Sequence, residues 1–428
     1  MEFQTLKKSH LKRNIIIGVI IVGIISAVVL NFTRAKYRTT QSIPLVNGTI
    51  NYELSDLNLI GVYIEDGNDY TKVDQIPESG YTFNSEKSYC KIGDEKQDMT
   101  ITYDMNTKNL TIAPMTSKGT KCYLYFNEQK ILLADAIKRD NQINSGTPNF
   151  ANTATTDEGV YKTQDDWGDS YYFRGAVTNN WLKFAGYYWR IIRINGDGSI
   201  RLIYNGTSTA TTGDSTLINS SQAFNSSYNR SEYVGYMYTS SQQHGNTTNS
   251  SIKGVLDSWY SSNLASYADK ISKEAGFCGD RDLKSGSWSS TGSTLYYAAY
   301  GRLIDNKAPT LKCSNSSDLY TTSSSSKGNK ALTNPVGLIT ADEVSMAGGV
   351  WGTSNSSYYL YTGQNYWTMS PSYFGSNGSA HVFYVHSNGN LSHAYVDWTS
   401  GGVRPVINLS ADVTAKSGNG TSSTPYEI

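Results

Sequence analysis

The segment Tyr187–Tyr204 constrains the fold of this chain most tightly. The run Tyr187-Tyr188-Trp189-Arg190-Ile191-Ile192-Arg193-Ile194 leads through Asn195-Gly196-Asp197-Gly198 into Ser199-Ile200-Arg201-Leu202-Ile203-Tyr204. β-Branched and aromatic residues suit a pleated, packed surface. An Asn-Gly or Asp-Gly step between two such runs is the strongest short-range hairpin signal. The pattern predicts two paired strands. The turn superficially resembles a calcium loop, but the later bidentate Glu and the carboxylate spacing are missing.

Strand-length runs separated by turn residues recur elsewhere, so the fold class is α+β and β-rich. Before the hairpin, Leu59–Ile64, Tyr81–Phe83, Met99–Tyr103, Leu110–Ile112 and Cys122–Phe126 follow one another at about ten-residue intervals, the rhythm of an Ig-like β-sandwich. That module spans 39–140 and ends in a short helix at Ile131–Ile137. A polar linker, 141–156, joins it to a large module, 157–428. There Val255, Leu256, Trp259 and Tyr260 stand at helical spacing. Val336–Ile339 reads as a strand entering a second helix, with Thr340 or Asp342 as its N-cap.

Residues 1–38 hold seven Lys or Arg and one Glu, and within them lies an uncharged run, Asn14–Thr33. Twenty residues at 1.5 Å rise reach about 30 Å, one bilayer core. No convincing cleavage site follows. A signal anchor is expected, with Lys7, Lys8, Lys12 and Arg13 inside and the body outside. The protein is therefore placed in the cell membrane, single-pass, with an extracellular C-terminal body. The remaining chain holds 29 basic against 35 acidic residues, which argues against a nucleic-acid partner. Outside the membrane cysteines persist as disulfides. Four allow three pairings; Cys90–Cys122 and Cys278–Cys313 keep each bridge within its own domain.

Three of the five histidines, His381, His386 and His393, fall close together without a neighbouring Cys or Glu, so contact residues are favoured over a metal site. Val382, Val385, Leu391 and Val396 are expected to face inward. Between them Tyr, His, Ser and Asn form a contact vocabulary of rigid aromatics and small hydrogen-bonding groups. Trp367 and Trp398 read as packing beneath loops, and Arg404 as a buried structural residue. Asp165-Asp166 and Asp342-Glu343 are adjacent carboxylates, which point to opposite faces on a strand and make no ready acid–base dyad. No G-x-S-x-G, H-E-x-x-H or phosphate-binding glycine loop occurs, so no catalytic activity is expected.

The order YYWRIIRINGDGSIRLIYNG, a Cys pair, WTMSPS and a terminal GGVRPVINLS resembles the C-type-lectin-fold surface proteins of gut Gram-positive bacteria and phages. That fold is shared with variable proteins of diversity-generating retroelements and with formylglycine-generating enzymes. The resemblance covers about 157–410. It implies a C-terminal C-type-lectin-like domain that displays its contact surface between the last two motifs, over Tyr373–Asp397. The candidate ligand-binding residues are Tyr373, Phe374, Ser376, Asn377, His381, Tyr384, His386, His393, Tyr395 and Asp397. Retroelement diversification yields codons that exclude Lys, Glu, Gln, Met and Trp. Those types total 62 of 428 residues, yet the 25 residues Tyr373–Asp397 contain none. This is compatible with a diversified adhesin or receptor, and equally with a fixed one. The partner would be a protein or glycan on another cell or phage, with no cofactor. A surface-layer or pilus-like component is the alternative. A formylglycine-generating-like enzyme ranks below both, because Cys278 and Cys313 are too far apart in sequence for that family's closely spaced copper-binding pair.

Overall fold

The computed structural model describes residues 58–428, apart from Ser79, Asn106 and 115–118. The expected anchor at 14–33 lies outside these residues. Among the described residues no helix is long and apolar enough to cross a membrane. The chain is a β-rich α+β protein in two units that divide between Gln129 and Lys130.

In the first unit every expected strand forms. Its elements are β1 (Asn58–Asp66), β2 (Asp69–Val73), β3 (Tyr81–Phe83), β4 (Tyr89–Ile92), β5 (Thr100–Asp104), β6 (Asn109–Ala113) and β7 (Lys121–Glu128). β5 and β6 pair as a separate hairpin, and the others make one sheet around β7. Strand β7 alternates: Cys122, Leu124 and Phe126 enter a core with Val62, Ile101 and Leu110, while Tyr123 and Tyr125 stand on the other face. Cys90 and Cys122 are bonded. They sit opposite each other on the antiparallel neighbours β4 and β7. The bridge therefore ties two strands of one sheet, whereas an immunoglobulin-type bridge crosses between sheets.

The second unit opens with α1 (Leu133–Asp140), whose Leu133, Ala134, Ala136 and Ile137 are buried in that unit's core. The sequence reading had carried the first domain through this helix to residue 140. Two-residue strands explain the placement: Ile131 and Leu132 pair with Ala415 and Thr414. Next come β8 (Asp157–Gln164), β9 (Asp169–Gly175), β10 (Trp181–Phe184), β11 (Tyr187–Ile194) and β12 (Ile200–Tyr204), then α2 (Ser251–Asn263) and α3 (Ala341–Ala347). The last strands are β13 (Tyr366–Gly375), β14 (Ser379–Val385), β15 (Leu391–Tyr395), β16 (Gly401–Val403) and β17 (Val406–Leu409). β11 and β12 form the predicted hairpin, and β17 extends it on the far side of β12. β13, β14 and β15 are an antiparallel meander in a second sheet, which β16 joins parallel to β13. Cys278 and Cys313 are bonded.

What joins hairpin to helix is a buried ion network. A register shift at Ile192 leaves Arg193 directly opposite Arg201. Like charges placed so repel. Glu343 of α3 resolves this: its Oε1 lies 2.9 Å from Arg193 Nε and 2.5 Å from Arg201 Nε. Burial pushes the Glu343 carboxyl up, but the two guanidiniums hold it below its ordinary value. The same side chain completes a capping box, accepting from Thr340 N at 3.0 Å while Glu343 N donates to Thr340 Oγ1. Asp165 Oδ2 takes the other side of Arg193 at 2.6 Å. Arg302 bridges Asp342 and Asp280. Asp166, Asp342 and Glu343 of the acidic pairs read from the sequence thus line one small cavity of about 30 Å³. Such a space holds one or two waters at most. Its carboxylates are engaged by arginines or, for Asp166, by Cys313 N.

Replacing Glu343 with Gln leaves buried Arg201 without an ion-pair partner and Arg193 with Asp165 alone. Breaking a buried pair in this way costs about 3–5 kcal/mol. Denaturant unfolding of Glu343→Gln should show a loss of that size in the second unit. A loss below about 1 kcal/mol would show that the network does not organise the fold.

Candidate ligand-contact surface

The meander β13–β15 has two populated faces. On one, the rings of Tyr373 and His381 stack at 4.0 Å and 16°, because these residues are cross-strand partners. Tyr395, opposite His381 on the other side, stands 4.2 Å away, and His393 lies 4.8 Å from Tyr373. His393 Nδ1 meets Ser372 Oγ at 3.1 Å, and Trp351 packs on the imidazole at 4.7 Å. Three more tyrosines extend this cluster: Tyr296, whose short strand pairs it with Tyr373, and Tyr300 lie beside Tyr373, and Tyr228 beside Tyr395. Tyr228, Tyr296 and Tyr395 are 44%, 41% and 45% exposed. Only three other large hydrophobic residues are as open among the described residues, so half of the exposed large hydrophobics rim one cluster. Lys284 stands 6.0 Å over Tyr296 and over Tyr300 and is itself paired with Asp305.

On the opposite face Tyr384 packs against Trp398 at 4.9 Å and Trp367 at 6.1 Å, with His386 beside it at 6.1 Å. Trp367 is fully buried and donates to Gln222 O at 2.7 Å. Arg404 is also buried and donates to Tyr204 O and Leu360 O. The sequence reading of Trp367 and Arg404 as structural thus describes their positions.

The ten candidate residues do not form one surface. Tyr373, His381, His393 and Tyr395 are brought together, while Tyr384 and His386 lie behind them. Ser376 and Asn377 occupy the exposed β13–β14 turn, and Asp397 is half-buried beyond β15. Phe374 is a core residue at 0% exposure. The inward set Val382, Val385, Leu391 and Val396 is buried as expected. The outward set is outward only in part: Ser376, Asn377 and Tyr395 are exposed, but His381 is 4% and Tyr384 8% exposed. The reason is that period-2 reading assumes one wet face, and every residue of β14 is buried. Tyr228, Tyr296, Tyr300 and Trp351 were missed, since only tertiary folding brings their segments to this face. The sequence signal available was an excess of Tyr in polar loops, which names no position. Among the described residues no group of His, Cys, Asp and Glu is arranged to hold a metal ion.

Burial lowers both key imidazoles. His381 falls to about 4, by desolvation and then by the neighbouring His393, and His393 falls to about 4 by desolvation. Both are neutral at pH 7, which suits stacking. A lowered imidazole pKa means that the unfolded chain takes up protons first as pH falls below about 6.5. Stability should therefore drop between pH 6.5 and 4 and level off below. His381→Phe keeps the stack and removes one titrating group, so its melting temperature should fall less over that window than that of the wild type. Equal slopes would show that His381 is not held neutral.

Among protein-family models, curated proteins and solved structures, none matches this chain.

Proposed function

We propose that this protein is a surface ligand-binding protein, an adhesin or receptor, held at the membrane by residues 14–33, and that its second unit binds through the aromatic face of β13–β15. The observation that carries this reading is the set of exposed Tyr228, Tyr296 and Tyr395 beside the stack of half-buried Tyr373 on buried His381. Tyrosine supplies large contact area with few rotors and a polar tip. The stack beneath fixes the rim before any ligand arrives, which lowers the ordering cost of binding. The C-type-lectin-like reading of the second unit draws support from its closed ends. Ile131 and Leu132 at its start pair with Ala415 and Thr414 near its end, and the WTMSPS and GGVRPVINLS motifs supply β13, β16 and β17. The first unit serves as the stalk, with its β5–β6 hairpin as the second layer of a small sandwich.

A rim variant tests this directly. Tyr228→Ala, Tyr296→Ala and Tyr395→Ala together remove exposed rings and leave the core intact. Full-length protein screened on protein and glycan arrays should lose its hits about a hundredfold in affinity. Its melting temperature should stay within a few degrees of wild type. Hits that survive in the variant would move the contact surface elsewhere.

A further inference from the structure

A second surface lies on the first unit, on the face of its sheet turned away from the disulfide. Alternation puts Tyr123 and Tyr125 of β7 on that face, and register adds their partners: Tyr89 opposite Tyr123 and Tyr63 opposite Tyr125. The rings stand face to face at the strand spacing. Tyr63 and Tyr125 are 4.8 Å apart at 11°, and Tyr89 and Tyr123 are 4.9 Å apart at 19°. Gly61 makes room for this, since a Cβ there would come within 2.7 Å of the Tyr63 ring.

Lysines complete the face. Lys91 is directly opposite Lys121 on one side and Lys96 on the other, which puts three ammonium groups in a row across adjacent strands. Lys96 stands 4.3 Å over Tyr89, Lys87 stands 4.1 Å over Tyr70, and Lys72 is the register partner of Tyr63. The unit does not owe this to a basic composition. Residues 58–129 hold seven Lys and eleven Asp or Glu, yet among the acids in paired strand positions register puts only Glu65 on the face that carries five lysines. None of the five forms an ion pair among the described residues, whose ion pairs in this chain begin at Arg139.

The second unit shows what this chain does with like charges across strands when they are structural: Arg193 and Arg201 share Glu343. Opposed like charges destabilise a sheet pair, and Lys96, Lys91 and Lys121 have no such counter-charge. We infer that the lysine–tyrosine face of the first unit binds an acidic polysaccharide, whose carboxylates or phosphates supply the missing charge and whose hydroxyls meet the tyrosine edges. A single-stranded nucleic acid needs free aromatic faces to stack its bases. Here Tyr63 and Tyr125, and Tyr89 and Tyr123, turn a face to each other, and ammonium groups stand over Tyr70 and Tyr89, which leaves few faces free.

The test is binding of full-length protein to polygalacturonate, with dextran as the neutral polymer and single-stranded oligothymidylate as the competing anion. Saturable binding to polygalacturonate, weakened by salt and stronger than to oligothymidylate, is expected. Lys91→Gln, Lys96→Gln and Lys121→Gln together should weaken it about tenfold or more. Melting should be unchanged or raised, because mutual repulsion is removed. Lys108→Gln, in the β5–β6 turn, should leave affinity unaltered. No binding at low salt, equal affinity in the triple variant, or preference for oligothymidylate would each overturn the inference.

Discussion

The carboxylate of Glu343 is the contact on which the second unit depends. It caps α3, and it neutralises Arg193 and Arg201 from the two strands of the central hairpin. Without it that hairpin would hold two buried cations side by side, with Asp165 left to pair with Arg193 alone. Pairing at this depth offsets a desolvation penalty that apolar residues would not incur. What it adds is position: the hairpin, the helix and the Asp165 loop admit one relative arrangement that satisfies every charge.

The aromatic face is a consequence of that arrangement. α3 leads into the segment that carries Trp351, and Ser370 of β13 accepts from Ala341 N at 2.9 Å, so the helix and the meander are fixed to each other. β14 is packed on both sides, and the rings it carries cannot swing away. Tyr228, Tyr296 and Tyr300 are held against this support. The outer residues meet solvent while the layer below is set by core packing, the combination that lets a few aromatic anchors contribute most of a binding energy.

Local features were legible in the sequence. The Asn-Gly-Asp-Gly hairpin, the helix around Leu256 and the Thr340 cap each rest on contacts within a few residues, and each forms. Both disulfides follow the pairing within domains. The site was half legible. Tyr373, His381, His393 and Tyr395 were named, but Tyr384 and Phe374 were read as outward because alternation cannot reveal that a strand is covered twice. Tyr228 and Tyr296 were beyond reach for another reason: nothing near them in sequence records that they will meet β13 and β15. Glu343 was seen as one of an adjacent acidic pair, and its two arginine partners lie far upstream. The lysine row of the first unit was likewise hidden, since it appears only once β4 and β7 are placed in register.

The tyrosine rim is the proposed ligand-contact part of the second unit. Tyrosine iodination of the full-length protein, mapped by mass spectrometry with and without cells to which it adheres, measures this most directly. Rapid modification of Tyr228, Tyr296 and Tyr395 is expected in the free protein, with buried Tyr236 and Tyr366 spared, and protection of the three on adhesion. Unchanged labelling of those three in the bound state, with protection appearing elsewhere, would contradict it.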